Sequence, residues 1–263
     1  MLIEKLYLIP EPDDLDRSEL VADKWGAAFE YNDFFDPQLL DDRDALKSRI
    51  DMYIPHAEKK IGDNLHGVFY DICLNSYDNS IRKISEERVN TSMEIASELH
   101  CDKVIFHTNN IPGFIPDFYV NAWVNKNAAY YRKICSRYPQ MTVCVENMFD
   151  FEPDLLLLLA KEMADVDNFG VCFDVAHINV HGKKSEDWVR LLAPYIRHLH
   201  INDNDGKADL HMPVGNGTVD WREFFDTLEK YGVNTGLLVE VRRLDDFERS
   251  MQYLIGRGLI NGQ

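Results

Sequence analysis

Thr142-Val-Cys-Val-Glu146, Val171-Cys-Phe-Asp174 and His198-Leu-His-Ile201 are three short runs that decide the fold. Each is apolar, rich in β-formers and carries an ionisable side chain at or near its C-terminal end. Segments with helical period lie between them, over 153–164 and 186–193. Strand, helix, strand, helix, strand in this order implies parallel pairing through right-handed crossovers. The rhythm continues in both directions. Upstream strands are expected at Leu6–Ile9, Ala27–Tyr31, Asn64–His66 and Val104–His107, and a last one at Leu237–Val241. Further helices are expected over 16–25, 39–53, 85–99, 117–137, 221–230 and 246–256. Ser85, Asp117, Ser185 and Asp220 are candidate helix caps, the last with Glu223 in capping-box position. Gly232 and Pro139 mark helix ends. Eight strands alternating with eight helices in 263 residues predict one α/β domain over 1–263, a (β/α)8 TIM barrel. An open doubly wound sheet usually carries a glycine-rich turn after its first strand, whereas that turn here is Pro10-Glu-Pro-Asp-Asp14.

The composition is that of an ordinary globular chain, 45% hydrophobic with a formal charge of −17, which excludes disordered and collagen-like classes. The acidity argues against a nucleic-acid partner, because duplex binding draws on clustered Lys and Arg. The longest apolar run, Leu155 to Ala160, is far short of the roughly 18 residues that span a bilayer. The opening Met1-Leu-Ile-Glu-Lys lacks a basic region followed by an apolar one, so no signal peptide and a cytoplasmic location are expected. Five cysteines without a CxxC pair point to a reducing compartment. The helix faces leave monomer and homo-oligomer both open.

In a barrel of this type chemistry sits at the C-terminal ends of the strands. Read in order, those ends present His66, His107, Glu146, Asp174 with His177, His200, and Glu240, and the loop after His200 adds Asp209 and His211. Any one of these would ordinarily be a structural or rim residue. Six consecutive strand ends aimed at one mouth are different, since unpaired carboxylates converging there would repel and desolvate. Lys and Arg are scarce in these segments, so a divalent cation is the natural compensation. Mixed imidazole and carboxylate donors suit zinc, manganese, iron or cobalt better than calcium.

From Asn64 onward the chain resembles the xylose isomerase-like barrel superfamily, which includes sugar phosphate isomerases and epimerases and the endonuclease IV type of apurinic endonuclease. The resemblance rests on Glu146-Asn147, Asp174-Val-Ala-His177, and His200 through Asp209-Leu-His211-Met-Pro-Val-Gly-Asn-Gly217. It implies nine metal-ligand positions, His66, His107, Glu146, Asp174, His177, His200, Asp209, His211 and Glu240, and hence manganese or zinc with up to two or three ions. In epimerase-like members one ion suffices, on Glu146, Asp174, His200 and Glu240, and His177 touches substrate instead.

Two chemistries follow. An isomerase or epimerase needs two carboxylates, Glu146 and Glu240, on opposite sides of a small sugar or sugar phosphate to exchange protons beside a metal-polarised carbonyl. A multinuclear phosphodiesterase would use the additional set His66, His107, Asp209 and His211. The loops Glu11-Pro-Asp-Asp-Leu-Asp16 and Asn32-Asp-Phe-Phe-Asp-Pro37 are acidic, and no basic, tryptophan-containing loop follows the second strand, which favours the sugar over DNA. A barrel that binds sugar without turnover is the reading from a different class.

Lesser signals have plain alternatives. Arg242 either reaches a substrate phosphate or carboxylate or makes a rim salt bridge. His198, two before His200, lies one layer deeper and either bonds a ligand carboxylate or fills the core. Cys144 and Cys172 are expected to pack beneath the metal. Gly215-Asn-Gly217 is expected to be a tight turn rather than a phosphate cradle. Phe34 and Phe35 could stack on a base, but adjacent loop aromatics more often cap a barrel or shape a small-ligand pocket. Lys183, Lys184 and Lys207 either attract an anion from loops on the mouth side or are solvated loop lysines, and His56, His100 and His181 are expected to be structural or surface residues.

Overall fold

Eight parallel strands close into a ring in chain order, with the last hydrogen-bonded to the first. The structure is a computed structural model and describes residues 3–261; Met1 and Leu2, where the signal-peptide reading begins, lie outside them. The strands are β1 (Lys5–Leu8), β2 (Ala27–Tyr31), β3 (Asn64–His66), β4 (Lys103–His107), β5 (Thr142–Glu146), β6 (Phe169–Asp174), β7 (Ile196–Ile201) and β8 (Gly236–Val239). Around them lie α1 (Leu15–Trp25), α2 (Pro37–Asp41), α3 (Arg43–Ala57), α4 (Asn79–Glu98), α5 (Asp117–Arg137), α6 (Asp154–Glu162), α7 (Val175–Asn179), α8 (Ser185–Leu192), α9 (Trp221–Lys230) and α10 (Leu244–Gly256). The predicted (β/α)8 barrel is the observed one.

Local chemistry explains where the expected boundaries shift. The helix expected over 39–53 is two, because Asp42 ends α2 and its carboxylate caps α3, accepting from the Asp44 and Ala45 amides at 3.1 and 3.0 Å. Asp78, not Ser85, caps α4; Ser85 sits inside that helix and its hydroxyl donates to the Ile81 carbonyl at 2.9 Å. Asp117 and Ser185 are first helical residues rather than caps. Asp220 does cap α9, accepting from the Glu223 amide at 3.0 Å. The capping box is not closed, because the Glu223 carboxylate instead accepts from the Ser185 hydroxyl and the Glu186 amide. The short α7 was not anticipated. It exists because Asp174, at the end of β6, caps it.

Alternate strand residues face two environments. Val143, Val145, Phe173, Leu199, Ile201, Leu237 and Val239 point outward and build the main core with helix residues such as Trp123, Trp188 and Phe224. The interior of such a barrel is normally filled by branched apolar side chains. Here its apolar part shrinks to two small clusters, Tyr7 with Ala28 and Leu238, and Ile105 with Cys144 and Cys172. Cys144 and Cys172 thus pack inside the barrel as small apolar side chains. The rest of the interior goes to buried polar groups: Glu30, Asn64, His66, Glu146, Asp174, His198 and His200.

Candidate metal centre

Strand register brings the predicted residues together. His107 is paired with Glu146 across β4 and β5, and Asp174 with His200 across β6 and β7. Glu240 directly follows β8, its amide held by the Ile201 carbonyl at 2.8 Å. Ligand atoms of Glu146, Asp174, His200 and Glu240, all buried, lie within 4.8 Å of one another. Nδ1 of His200 stands 3.2 Å from Glu146 Oε2 and 3.5 Å from Glu240 Oε2. His66, His107 and Glu146 form a second group, in which the two Nε2 atoms are 3.1 Å apart. A third gathers around Asp209, whose Oδ2 is 3.0 Å from His211 Nε2 and 3.6 Å from His177 Nε2. All nine candidate positions therefore face one mouth, and Glu146 is common to the first two groups.

Three of the histidines are locked in the orientation a metal ligand needs. His66 Nδ1 donates to the Gly67 carbonyl at 3.0 Å, His177 Nδ1 to the Asn147 carbonyl at 2.7 Å, and His211 Nδ1 to the Glu240 carbonyl at 3.0 Å. A carbonyl only accepts, so Nδ1 carries a proton in each and Nε2 is the nitrogen turned to the site, where that of His211 meets Asp209 Oδ2 at 3.0 Å. Outer hydrogen bonds of this kind are the usual companions of metal-bound imidazoles. His211 holds its place at φ +48°, a left-handed conformation that non-glycine residues seldom adopt. Asp174 is fixed too: Oδ1 accepts from the Ala176 and His177 amides at 2.5 and 2.9 Å, and Oδ2 from Asn202 at 3.2 Å.

The residues fit a cation on a second ground. Both carboxylate oxygens of Glu146 and Oε2 of Glu240 are buried without a hydrogen-bond partner, a costly state unless something positive fills the space between them. Burial pushes the Glu146 carboxyl up, but the imidazoles of His200 and His107 outweigh it and hold the group well below the usual range. Asp174 moves the other way, to about 7, because burial dominates and Glu146 and Glu240 add repulsion. Burial lowers His211, but Glu240 and Asp209 more than compensate and raise it to about 9.

The mouth has an aromatic side. Phe69 stacks on His107 with ring centroids 4.8 Å apart, and the Phe149 ring meets His177 at 5.8 Å. Phe35 packs on Phe69 and Tyr70, whereas Phe34 is fully buried against Tyr53. Arg242 is exposed. Lys183 pairs with Glu152. His56 is buried and stacked on Phe29 at 3.8 Å, and His100 turns the chain after α4 at φ +53°. The glycine turn is a packing device rather than a cradle. A Cβ on Gly217 would stand 2.2 Å from both the Asn204 carbonyl and the Asp203 carboxylate.

The sequence reading missed Glu30. It is fully buried on β2, with His198 Nε2 donating to Oε2 at 2.8 Å and Asn64 donating to the same oxygen at 3.1 Å. His198 therefore bonds a carboxylate outside the nine candidate positions, and Glu30, His198 and His200 together bring further donor atoms within 4.8 Å of one another. A charge inside Ala27-Ala-Phe-Glu-Tyr31, at an inward position of the alternation, was the available signal.

Among relatives, the chain is 28% identical over 203 residues to the uncharacterized protein MJ1311 of Methanocaldococcus jannaschii, covering 72% of this chain and 68% of that one. Its structure superposes on that of a D-tagatose 3-epimerase-like protein with a TM-score of 0.72 and 22% identity, over 96% of each chain. It also superposes on the TTHB071 protein of Thermus thermophilus, from a crystal soaked in ZnCl2, with a TM-score of 0.73 and 23% identity over 98% of each. The family model described as the xylose isomerase-like TIM barrel matches residues 21–256, and the chain belongs to that family.

Proposed function

We propose that the protein is a metal-dependent isomerase or epimerase of a small sugar or sugar phosphate. One observation carries the reading: two buried carboxylates, Glu146 with both oxygens and Glu240 with Oε2 lacking a hydrogen bond, flank His200 at the mouth from β5 and from the end of β8. A divalent ion on Glu146, Asp174, His200 and Glu240 would polarise the substrate oxygens. The chain's own residues would move the proton. One carboxylate takes it from the carbon beside the carbonyl and the other returns a proton on the opposite side. Glu146, held ionised by its imidazole neighbours, suits the base. The aromatic wall of Phe69 and Phe149 offers a face for sugar C–H groups, and His177 and Arg242 are proposed substrate contacts. The acidic first and second loops speak against a duplex. Manganese and zinc both match the donors, and zinc was soaked into the TTHB071 crystal. A cytoplasmic location accords with five free cysteines.

A second reading, a multinuclear phosphodiesterase, is favoured by a different observation. His66 and His107 meet at Glu146, and His177 and His211 at Asp209, more donors than a proton exchange needs. Metal counting on protein purified without chelator, with a sugar panel and an abasic-site oligonucleotide, separates the two. Glu240→Gln is expected to lower sugar turnover at least about a thousandfold, within the range of general acid–base effects, without unfolding the barrel. Wild-type rates in that variant would remove Glu240 from proton transfer. Sugar binding without turnover in the wild type would leave a binding barrel.

A further inference from the structure

β2 buries a carboxylate one layer below the mouth, on a strand whose other residues are Ala27, Ala28, Phe29 and Tyr31. A buried carboxylate is costly unless donors surround it. His198 Nε2 and Asn64 Nδ2 both serve Glu30 Oε2. The other oxygen, Oε1, lies 2.8 Å from His200 Nε2. That pair is close but not well aligned, and neither atom has any other partner. A small rotation of the ring therefore completes a hydrogen bond between two buried atoms that otherwise lack one.

His200 is thereby set apart from the other histidines of the mouth. His66, His177 and His211 keep their protons on Nδ1 and turn Nε2 to the site. His200 turns Nδ1 to the site, toward Glu146 and Glu240, and Nε2 away from it. With no backbone carbonyl behind it, its tautomer must be set by a side chain.

We infer that Glu30 is a positioning residue for the metal centre. It accepts the Nε2 proton of His200, so that the imidazole presents the Nδ1 lone pair to the ion, while His198 and Asn64 hold the Glu30 carboxylate from below. The inference rests on the metal reading proposed above. Gly236 belongs to the same device, since a Cβ there would lie 3.1 Å from His198 Nδ1 and 2.8 Å from the Tyr7 ring.

The test is made on the full chain with zinc alone as the probe. Long-range proton–nitrogen spectra of histidine-labelled, zinc-loaded protein should show the His200 proton on Nε2 and those of His66, His177 and His211 on Nδ1. Glu30→Gln should weaken zinc binding 10- to 100-fold, the usual size of such outer-partner effects, with the unfolding midpoint of the chelated protein not lowered. A His200 proton on Nδ1 overturns the inference. So does unchanged zinc affinity in Glu30→Gln. His200 with no proton on either nitrogen would place an ion at Glu30, His198 and His200, and overturns it as well. Wild-type protein that takes up no zinc overturns the metal reading itself. If Glu30→Gln fails to fold, the wild-type spectra alone decide.

Discussion

Asn147 and Asp174 hold each other through a reciprocal pair of hydrogen bonds across β5 and β6. The Asn147 side-chain amide donates to the Asp174 carbonyl at 2.8 Å, and the Asp174 backbone amide donates to Asn147 Oδ1 at 2.9 Å. The Asn147 carbonyl meanwhile receives His177 Nδ1 at 2.7 Å. One asparagine thus fixes the spacing between the residue after Glu146 and two further candidate ligands.

Asn147→Ala would leave a buried carbonyl and a buried amide unpaired. With each such group costing about 1–3 kcal/mol, the chelated protein should lose about 2–6 kcal/mol in urea unfolding. Metal affinity should fall with it. Unchanged stability and affinity would mean that the β5 and β6 ends hold their spacing without this lock.

The loop after β7 is organised around a buried carboxylate, Asp203. It accepts from the Gly215 amide and the Trp221 indole at 2.9 Å each and from the Val219 amide at 3.1 Å. Gly217→Ala should push this loop away, because its Cβ meets the Asn204 carbonyl, which is backbone and cannot turn aside. Ions held through Asp209 and His211 should be lost in preference to the others. Full metal content in Gly217→Ala would show that the two ligands are independent of this turn.

His107→Ala tests how many ions the centre takes. If His66, His107 and Glu146 share an ion, the variant should bind about one ion fewer per chain than the wild type, measured by elemental analysis after reloading. Equal stoichiometry would take His107 off the ligand set.

The metal-free protein should lose stability above neutral pH. His211 faces Asp209, Glu240 and Asp174 and is raised to about 9 from an ordinary 6.5. Its contribution is complete below about 6.5 and is lost as pH rises through 9. Asp174, raised to about 7, adds a loss on the way up to that pH. A divalent ion binds the deprotonated ligands, so the gap in melting temperature between manganese-loaded and chelated protein should widen from pH 6.5 to 9. A gap that narrows over this range would contradict the assignment of His211 and Asp174 to the centre.

What the sequence determined by itself was the order of strands and the ring of ionisable residues at their ends. Strand periodicity and the alternating helices are local, so Thr142–Glu146 and Asp117–Arg137 could be read to the residue. Caps were read less well where two acceptors competed. Asp42 and Asp78 won positions given to a continuous helix and to Ser85, because only the folded chain decides which carboxylate meets the free amides. Tertiary structure alone decided how the strand ends converge. It showed that Glu146 stands where several clusters of potential donor atoms meet, that three histidines are locked through backbone carbonyls, and that His198 answers to Glu30, 168 residues away. Those facts depend on ring closure and strand stagger, which bring residues distant in sequence within a hydrogen bond of one another.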